Sequence, residues 1–163
     1  MVLREPKLCL LGDSGVGKTA LAERLGASRA PRADGLWIHR WRRPDNGVEY
    51  ALWDLRGRSL LDSLGQSFLA HADGLALIAD AGRPESIALA LQAGRIASLL
   101  IGERPQVLIL NRFGDADPPS TDALPADIPD DLPIFAVSPG SGAGVVEAFS
   151  ALADMIGARG DAA

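Results

Sequence analysis

The sequence predicts a single domain of the α/β class, and three observations support this prediction. Short apolar runs typical of strands alternate with helix-like segments, which indicates parallel strands joined by right-handed helical crossovers. Several runs are continuously apolar, as strands covered on both faces are: 75–79, 107–110 and 134–137. With 163 residues and 47% hydrophobic content, the chain is long enough for one core but not for two. We therefore expect one domain over residues 1–163.

The first elements follow from their local patterns. An apolar strand at residues 8–11 precedes a helix-like segment at residues 20–25. The runs 36–43 and 48–53 flank the string Pro44-Asp45-Asn46-Gly47. Asn-Gly between two β-type runs predicts a hairpin, because both residues tolerate positive φ.

Two longer helices are predicted in the second half of the chain. Pro84 suits the first turn of a helix that runs to about residue 101. Its inward face is predicted to hold Leu89, Ala93, Ile96 and Leu100. Spacings of four, three and four residues predict one apolar stripe along the last helix, formed by Val145, Phe149, Leu152 and Ile156. Residues 115–131 contain six Asp, four Pro and no Lys or Arg, which predicts a solvated acidic loop.

Charge and cysteine content exclude several classes of function. A net charge of −5 argues against nucleic acid as a partner, because a phosphate backbone attracts basic surfaces. Cys9 is the only cysteine and lies in an apolar run, so no disulfide within the chain is possible and a reducing interior is expected. No apolar run approaches the ~20 residues of a membrane span, and neither a signal-peptide core nor a lipidation site is found. These observations predict a cytoplasmic protein without a direct membrane anchor.

A phosphate-loop motif directly follows the first strand. It reads Gly12-Asp13-Ser14-Gly15-Val16-Gly17-Lys18-Thr19 and matches G-x-x-x-x-G-K-[ST] at every fixed position. Glycines let backbone N–H groups point at phosphate oxygens, and the next helix, which continues through Ala20, adds the positive end of its dipole. Lys18 is expected to bridge the β- and γ-phosphates of a nucleotide, and the Thr19 hydroxyl to ligate Mg²⁺. A purely structural glycine-rich turn is the alternative.

A second motif follows the run 48–53. Asp54-Leu55-Arg56-Gly57 has the form D-x-x-G, in which Asp54 would hold Mg²⁺ through water and the Gly57 N–H would contact the γ-phosphate. Glycine is needed at the last position because a side chain would obstruct the phosphate. The two motifs together predict a site for a nucleoside triphosphate and its metal ion.

With these motifs the chain resembles the Ras-like small GTPases, especially their Rab and Roc branches. The resemblance covers nearly the whole chain. It implies a P-loop NTPase fold with a six-stranded, mostly parallel sheet in the order 2-3-1-4-5-6, in which the second strand is antiparallel to the third. The ligand site would lie at the carboxyl ends of the strands.

Guanine recognition in that family depends on the string N-K-x-D, whose carboxylate accepts hydrogen bonds from the base. Here the string is Asn111-Arg112-Phe113-Gly114-Asp115. The resemblance implies that Asn111 is in place and that the Arg112 stem covers the base, but Asp115 is one position late. Either the loop folds so that Asp115 reaches the base, or base selection is weak. Ser138-Pro139-Gly140 replaces the family's Ser-Ala-Lys, and a proline cannot donate the backbone hydrogen bond to the guanine O6.

Two departures from the family concern its switch segments. The family places a Mg²⁺-binding threonine in switch I, but no threonine occurs between Thr19 and Asp54. Arg58 replaces the glutamine that orients the attacking water, and an arginine cannot accept a hydrogen bond. Slow hydrolysis is therefore expected. Either Arg58 or Arg56 acts as a catalytic arginine finger in cis, or both are solvated loop residues.

One strand face predicts a protein partner. Residues 36–43 put Trp37, His39, Trp41 and Arg43 on one face, and in the family this strand is a sheet edge beside the switches. Trp37, Trp41 and Arg43 are the predicted docking residues for a regulatory or effector protein. The alternative is that the tryptophans cover the core under a helix. His39 and His71 have no neighbours at metal-ligand spacing and are interpreted as solvated or structural.

The resemblance implies a small GTP-binding protein that acts as a nucleotide-dependent switch, with GTP or GDP and Mg²⁺ as its ligands. The open alternative is a pseudo-GTPase scaffold that binds its partner independently of the nucleotide state. A phosphotransferase that uses ATP is disfavoured, because D-x-x-G lies where a switch is expected and no arginine-rich lid segment is evident. The abundance of Ala, Arg, Gly and Pro, with Lys7 and Lys18 as the only lysines, favours a bacterial source.

Overall fold

A computed structural model describes residues 4–26, 28–31, 35–56, 59–112 and 124–161. The strands in this part of the chain are β1 (Lys7–Leu11), β2 (Ser28–Pro31), β3 (Leu36–Arg42), β4 (Glu49–Leu55), β5 (Gly74–Asp80), β6 (Gln106–Asn111) and β7 (Ile134–Val137). The helices are α1 (Lys18–Arg24), α2 (Leu60–Ser63), α3 (Gln66–Leu69), α4 (Pro84–Ile101) and α5 (Val145–Asp161).

All described strands belong to one sheet, in the order β2-β3-β4-β1-β5-β6-β7. β1 pairs in parallel with β4 and β5, and β6 and β7 continue the parallel part. β3 pairs antiparallel with β4. The α/β class and the order of the six predicted strands are therefore confirmed.

The predicted strand number is wrong, because β2 adds a seventh strand to the sheet. β2 pairs antiparallel with β3 and forms the outer edge on that side. It is four residues long and ends at Pro31. A proline is tolerated there because an edge strand needs N–H donors on one side only. This strand exists through pairing with β3, since its own residues carry little preference for extended structure.

The hairpin predicted at Asn46-Gly47 joins β3 to β4. Its closing bonds run from the Arg43 N–H to the Val48 carbonyl and from the Gly47 N–H to the Arg43 carbonyl, both at 2.9 Å. Gly47 takes the left-handed conformation, with φ 71°. The register that follows places Trp37 opposite Asp54 at the far end of the hairpin. The turn therefore decides which β3 residue lies beside the D-x-x-G motif.

Helices cover both faces of the sheet. On one face α1 and α5 pack over alternate residues of the strands, and on the other face α3 and α4 do so. The predicted apolar stripe of α5 is confirmed: Val145, Phe149 and Leu152 are buried, and Ile156 packs against them while half-buried.

α4 has the bounds that the sequence predicts, and its predicted inward face is only partly right. Ala93 is buried and Ile96 packs against the core, as predicted. The prediction is wrong for Leu100, which is exposed, and Leu89 is only half-buried. The helix lays smaller residues on the sheet, including Ala90, Gly94 and Ala97. A Cβ on Gly94 would lie 2.8 Å from a side-chain carbon of Leu77, so small residues are needed for this close approach. None of the described helices combines the length and hydropathy needed to cross a bilayer.

Trp41 and Arg43 do not form an exposed docking surface, so that prediction is wrong for both residues. β2 covers the edge of β3, and Trp41 is 2% exposed, with its ring centroid 5.5 Å from Tyr50 and 6.1 Å from Phe149. Arg43 is buried and its guanidinium forms an ion pair of 2.6 Å with Asp154 on α5. The alternative, in which the tryptophan covers the core beneath a helix, is confirmed for Trp41. Trp37 is half-buried at the other end of β3.

Candidate nucleotide-binding site

The phosphate-loop motif forms the connection between β1 and α1. Gly15 and Gly17 take left-handed conformations, with φ of 77° and 95°, which side chains disfavour. A Cβ on Gly12 would lie 2.2 Å from the backbone oxygen of Ile78 on β5. The loop is thus tight against the sheet and depends on glycine at these positions.

Lys18 begins α1, and its side chain reaches back over the loop. Its Nζ donates to the backbone oxygens of Gly12, at 2.7 Å, and Asp13, at 3.3 Å. The side chain is buried, and this burial lowers the pKa of Lys18, while the carboxylates of Asp54 and Asp13 oppose the shift. The amine is therefore held inside the loop, where a phosphate group bound by the loop would meet it.

Thr19 and Asp54 meet because β1 and β4 are parallel neighbours whose carboxyl ends lie together. The Thr19 Oγ1 donates to the Asp54 Oδ2 at 2.6 Å. The other carboxylate oxygen, Oδ1, is buried and has no hydrogen-bond partner among the described residues. A buried oxygen of this kind normally has a partner. The hydroxyl of Thr19 and the carboxylate of Asp54, which are predicted to bind Mg²⁺, therefore lie side by side. The Oδ1 atom of Asp54 is available as a further ligand atom.

His39 lies behind Asp54, on β3. Its side chain is fully buried, and Nε2 lies 3.5 Å from the Asp54 Oδ2, at the outer limit of a hydrogen bond. Burial by itself raises the pKa of Asp54, but the contacts with His39 and Thr19 and the attraction of His39 and Lys18 outweigh it and lower the pKa below its usual value. The carboxylate is thus stabilised in its charged form. Of the two histidines, His39 is structural, and His71 is exposed.

These residues line a cleft of about 450 Å³. Its lining combines the phosphate loop and the start of α1 with the end of β4: Ser14, Gly15, Val16, Gly17, Lys18, Thr19, Ala20, Glu23, Asp54, Leu55 and Arg56. Sequence reasoning did not predict Glu23. It lies one helical turn after Thr19, so the helical period would have placed both residues on the same face.

The residues predicted to recognise the base lie at the ends of β6 and β7. The Asn111 Nδ2 donates to the Val16 backbone oxygen at 3.0 Å, which ties β6 to the phosphate loop. The Asn111 Oδ1 and the Ser138 Oγ are buried, without hydrogen-bond partners in the part of the chain that the structure describes. The side chain of Arg112 is exposed, and Pro139 lies in the turn after β7. Buried polar atoms normally have hydrogen-bond partners, so these two atoms are candidates for contact with a ligand.

Three predicted site residues lie outside the described residues: Gly57, Arg58 and Asp115. Their roles at the γ-phosphate, in hydrolysis and at the base stay predictions.

Arg83, which sequence reasoning missed, also contacts the phosphate loop. It directly precedes α4, and its Nη2 donates to the Ser14 backbone oxygen at 3.1 Å. Its other nitrogens lie 3.6 Å from the Asp13 Oδ2 and 3.3 Å from the Asp80 Oδ2. β5 is the neighbour of β1, so a residue just after β5 is expected beside the loop that follows β1. The sheet order was the signal that could have identified it.

A mostly parallel sheet with a phosphate loop after its first strand defines a P-loop nucleotide-binding domain of the Ras-like class. Residues 7–113 match the family model described as Ras of Complex, Roc, domain of DAPkinase, and the chain belongs to this family. The chain is also similar to Ras-related protein Rab-20 of Mus musculus, with 30% identity over 92 residues. That match covers 52% of this chain and 38% of the mouse protein.

Proposed function

We propose that this domain binds a guanine nucleotide with Mg²⁺ and acts as a nucleotide-dependent switch with slow GTP hydrolysis. The observation that carries the proposal is the convergence of Lys18, Thr19 and Asp54 in one cleft. Membership of the Roc family, a family of Ras-like GTP-binding domains, supports it. In this proposal the loop N–H groups and Lys18 bind phosphate oxygens, and Asn111 holds the loop at a fixed position relative to the base site.

The residues present fit Mg²⁺. This ion prefers oxygen ligands, and the Thr19 hydroxyl and the Asp54 carboxylate provide them side by side. The unpaired buried Oδ1 of Asp54 supports a partner of positive charge at this place. When bound, Mg²⁺ would neutralise charge on the β- and γ-phosphates. Thr19 and Asp54 would orient it, and Lys18 would hold the phosphates.

Guanine is the proposed base because Asp115 is the nearest carboxylate in the sequence to Asn111 and could accept from the base. Pro139 removes one backbone donor for the guanine O6, so we propose weaker selection against adenine than in typical Ras-like domains. Ser138, whose hydroxyl is buried and unpaired among the described residues, is a candidate donor at the same edge.

Titration of the purified protein with fluorescent GDP, GTP and ATP analogues, with and without Mg²⁺, tests the proposal. We expect GDP and GTP to bind more tightly than ATP, and Mg²⁺ to strengthen the binding. Preference for ATP would contradict the guanine assignment. Absence of binding of all three nucleotides would contradict the proposed function as a whole.

Hydrolysis is expected to be slow because Arg58 cannot orient water as the family's glutamine does. In single-turnover assays of bound GTP, we expect Arg58→Ala to leave the rate unchanged, as for a solvated loop residue. A fall of the order of 10³-fold or more would instead identify Arg58 as a catalytic arginine in cis.

The second candidate function is a pseudo-GTPase scaffold. The absence of threonine between Thr19 and Asp54 favours it, because the family's GTP-state ligand is then missing. Equal GDP and GTP affinity, with no change in tryptophan fluorescence between the two states, would support the scaffold. For either function we propose a cytoplasmic protein whose partner contacts the segment around Trp37, since Trp41 and Arg43 are buried.

A further inference from the structure

Arg56 lies at the mouth of the cleft, directly after β4. Its backbone N–H donates to the Gly35 backbone oxygen at 2.9 Å, which fixes its main chain beside the start of β3. The side chain is 28% exposed, so most of it is turned inward. The guanidinium is therefore part of the cleft wall.

Three groups from three different elements hold this guanidinium. Its Nε lies 3.4 Å from the Asp54 Oδ2 of β4, and its Nη2 lies 3.5 Å from the Glu23 Oε1 of α1. Its central carbon lies 4.3 Å from the centre of the Trp37 ring on β3. The two carboxylate distances are long for hydrogen bonds, so the attraction is mainly between charges. Stacking on an aromatic ring limits the directions that the guanidinium can take.

The charges that line the cleft balance only when Arg56 is counted. Two cationic side chains, Lys18 and Arg56, face two carboxylates, Glu23 and Asp54. Without Arg56 the lining would carry one net negative charge, which repels a polyphosphate. The ring of Trp37 holds the positive charge of Arg56 beside Asp54, the carboxylate that is also the proposed Mg²⁺ ligand.

We infer that Arg56 is a tethered cation of the nucleotide site that competes with Mg²⁺ for Asp54 and makes nucleotide binding less dependent on the metal. The inference rests on the proposed function. A guanidinium and a divalent cation at the same carboxylate repel each other, so each weakens the contribution of the other. When the metal is scarce, Arg56 supplies positive charge to the phosphates.

The test compares the Kd for fluorescent GDP in excess Mg²⁺ and in EDTA. In the unchanged protein we expect a modest ratio between the two Kd values. In Arg56→Ala we expect this ratio to rise about tenfold, because binding in EDTA weakens much more than binding in Mg²⁺. The Mg²⁺ concentration for half-maximal GDP affinity should fall, because the competing cation is gone.

Matched variants separate charge from structure. Arg42→Ala removes an exposed arginine from β3 and should leave the ratio unchanged. Arg56→Lys keeps the charge but not the planar stack and should give an intermediate ratio, as should Trp37→Leu. If thermal unfolding shows that Arg56→Ala is not folded, Arg56→Lys and Trp37→Leu provide the test instead.

The outcomes are distinguishable. If Arg56→Ala weakens GDP binding equally in Mg²⁺ and in EDTA, the effect is only structural and the proposed role of Arg56 is overturned. A variant that leaves both Kd values, and hence their ratio, unchanged overturns it as well. Failure of the unchanged protein to bind GDP in either buffer overturns the proposed function and this inference with it.

Discussion

Replacing Lys18 by alanine is expected to raise the Kd for GDP and GTP by about 30-fold or more. Removal of one partner from a buried, charge-assisted contact costs about 2–5 kcal/mol, and each 1.4 kcal/mol corresponds to about tenfold in Kd. Lys18 fits this case because its side chain is buried and its Nζ lies 2.7 Å from the Gly12 oxygen, inside the phosphate loop. Fluorescence titration in Mg²⁺ measures the change.

Arg95→Ala provides the control, since it removes one positive charge from an exposed position on α4. Its Kd should match that of the unchanged protein. Lys18→Met keeps the apolar stem and should lose as much affinity as Lys18→Ala. A change in Kd below about tenfold in a folded Lys18→Ala protein would show that this amine is not a main phosphate contact.

Trp41→Ala is expected to lower the free energy of unfolding by about 3–5 kcal/mol. The Trp41 ring is 2% exposed and packs between Tyr50 and Phe149, where α5 covers the sheet. Its removal leaves a cavity that these neighbours cannot fill. Urea denaturation, followed by circular dichroism, measures the loss.

Leu99→Ala is the matched control, because Leu99 is 85% exposed on α4. Its effect should stay within about 0.5 kcal/mol. A loss of less than about 1 kcal/mol in Trp41→Ala would contradict this packing role, because the burial of the ring would then contribute little to the stability of the fold.

The features that the sequence predicts correctly depend on strong local patterns. Continuous apolar runs identify β5, β6 and β7, and Asn46-Gly47 identifies the hairpin. The apolar stripe of α5 has a clear helical period. The phosphate-loop motif lies where its spacing places it, between β1 and α1, because glycine and lysine at fixed intervals specify both a conformation and a charge.

The features that were missed depend on tertiary contacts. β2 has no strand pattern and exists because β3 offers it a partner. Trp41 alternates with polar residues in the sequence like an exposed aromatic, yet α5 covers it. Arg83 lies beside the phosphate loop because β5 is next to β1 in the sheet. Glu23 lines the cleft because it lies one helical turn after Thr19. The predicted bacterial source stays a prediction.

Among the strands that the structure describes, the two outermost ones of the sheet, β2 and β7, are each four residues long. An edge strand exposes unpaired backbone groups, and a long one invites the strands of other molecules to add to it. Here few such groups are available on either side, and Pro31 in β2 lacks an N–H to offer. The sheet is consequently poorly suited to growth by intermolecular strand addition, which limits one common route to aggregation.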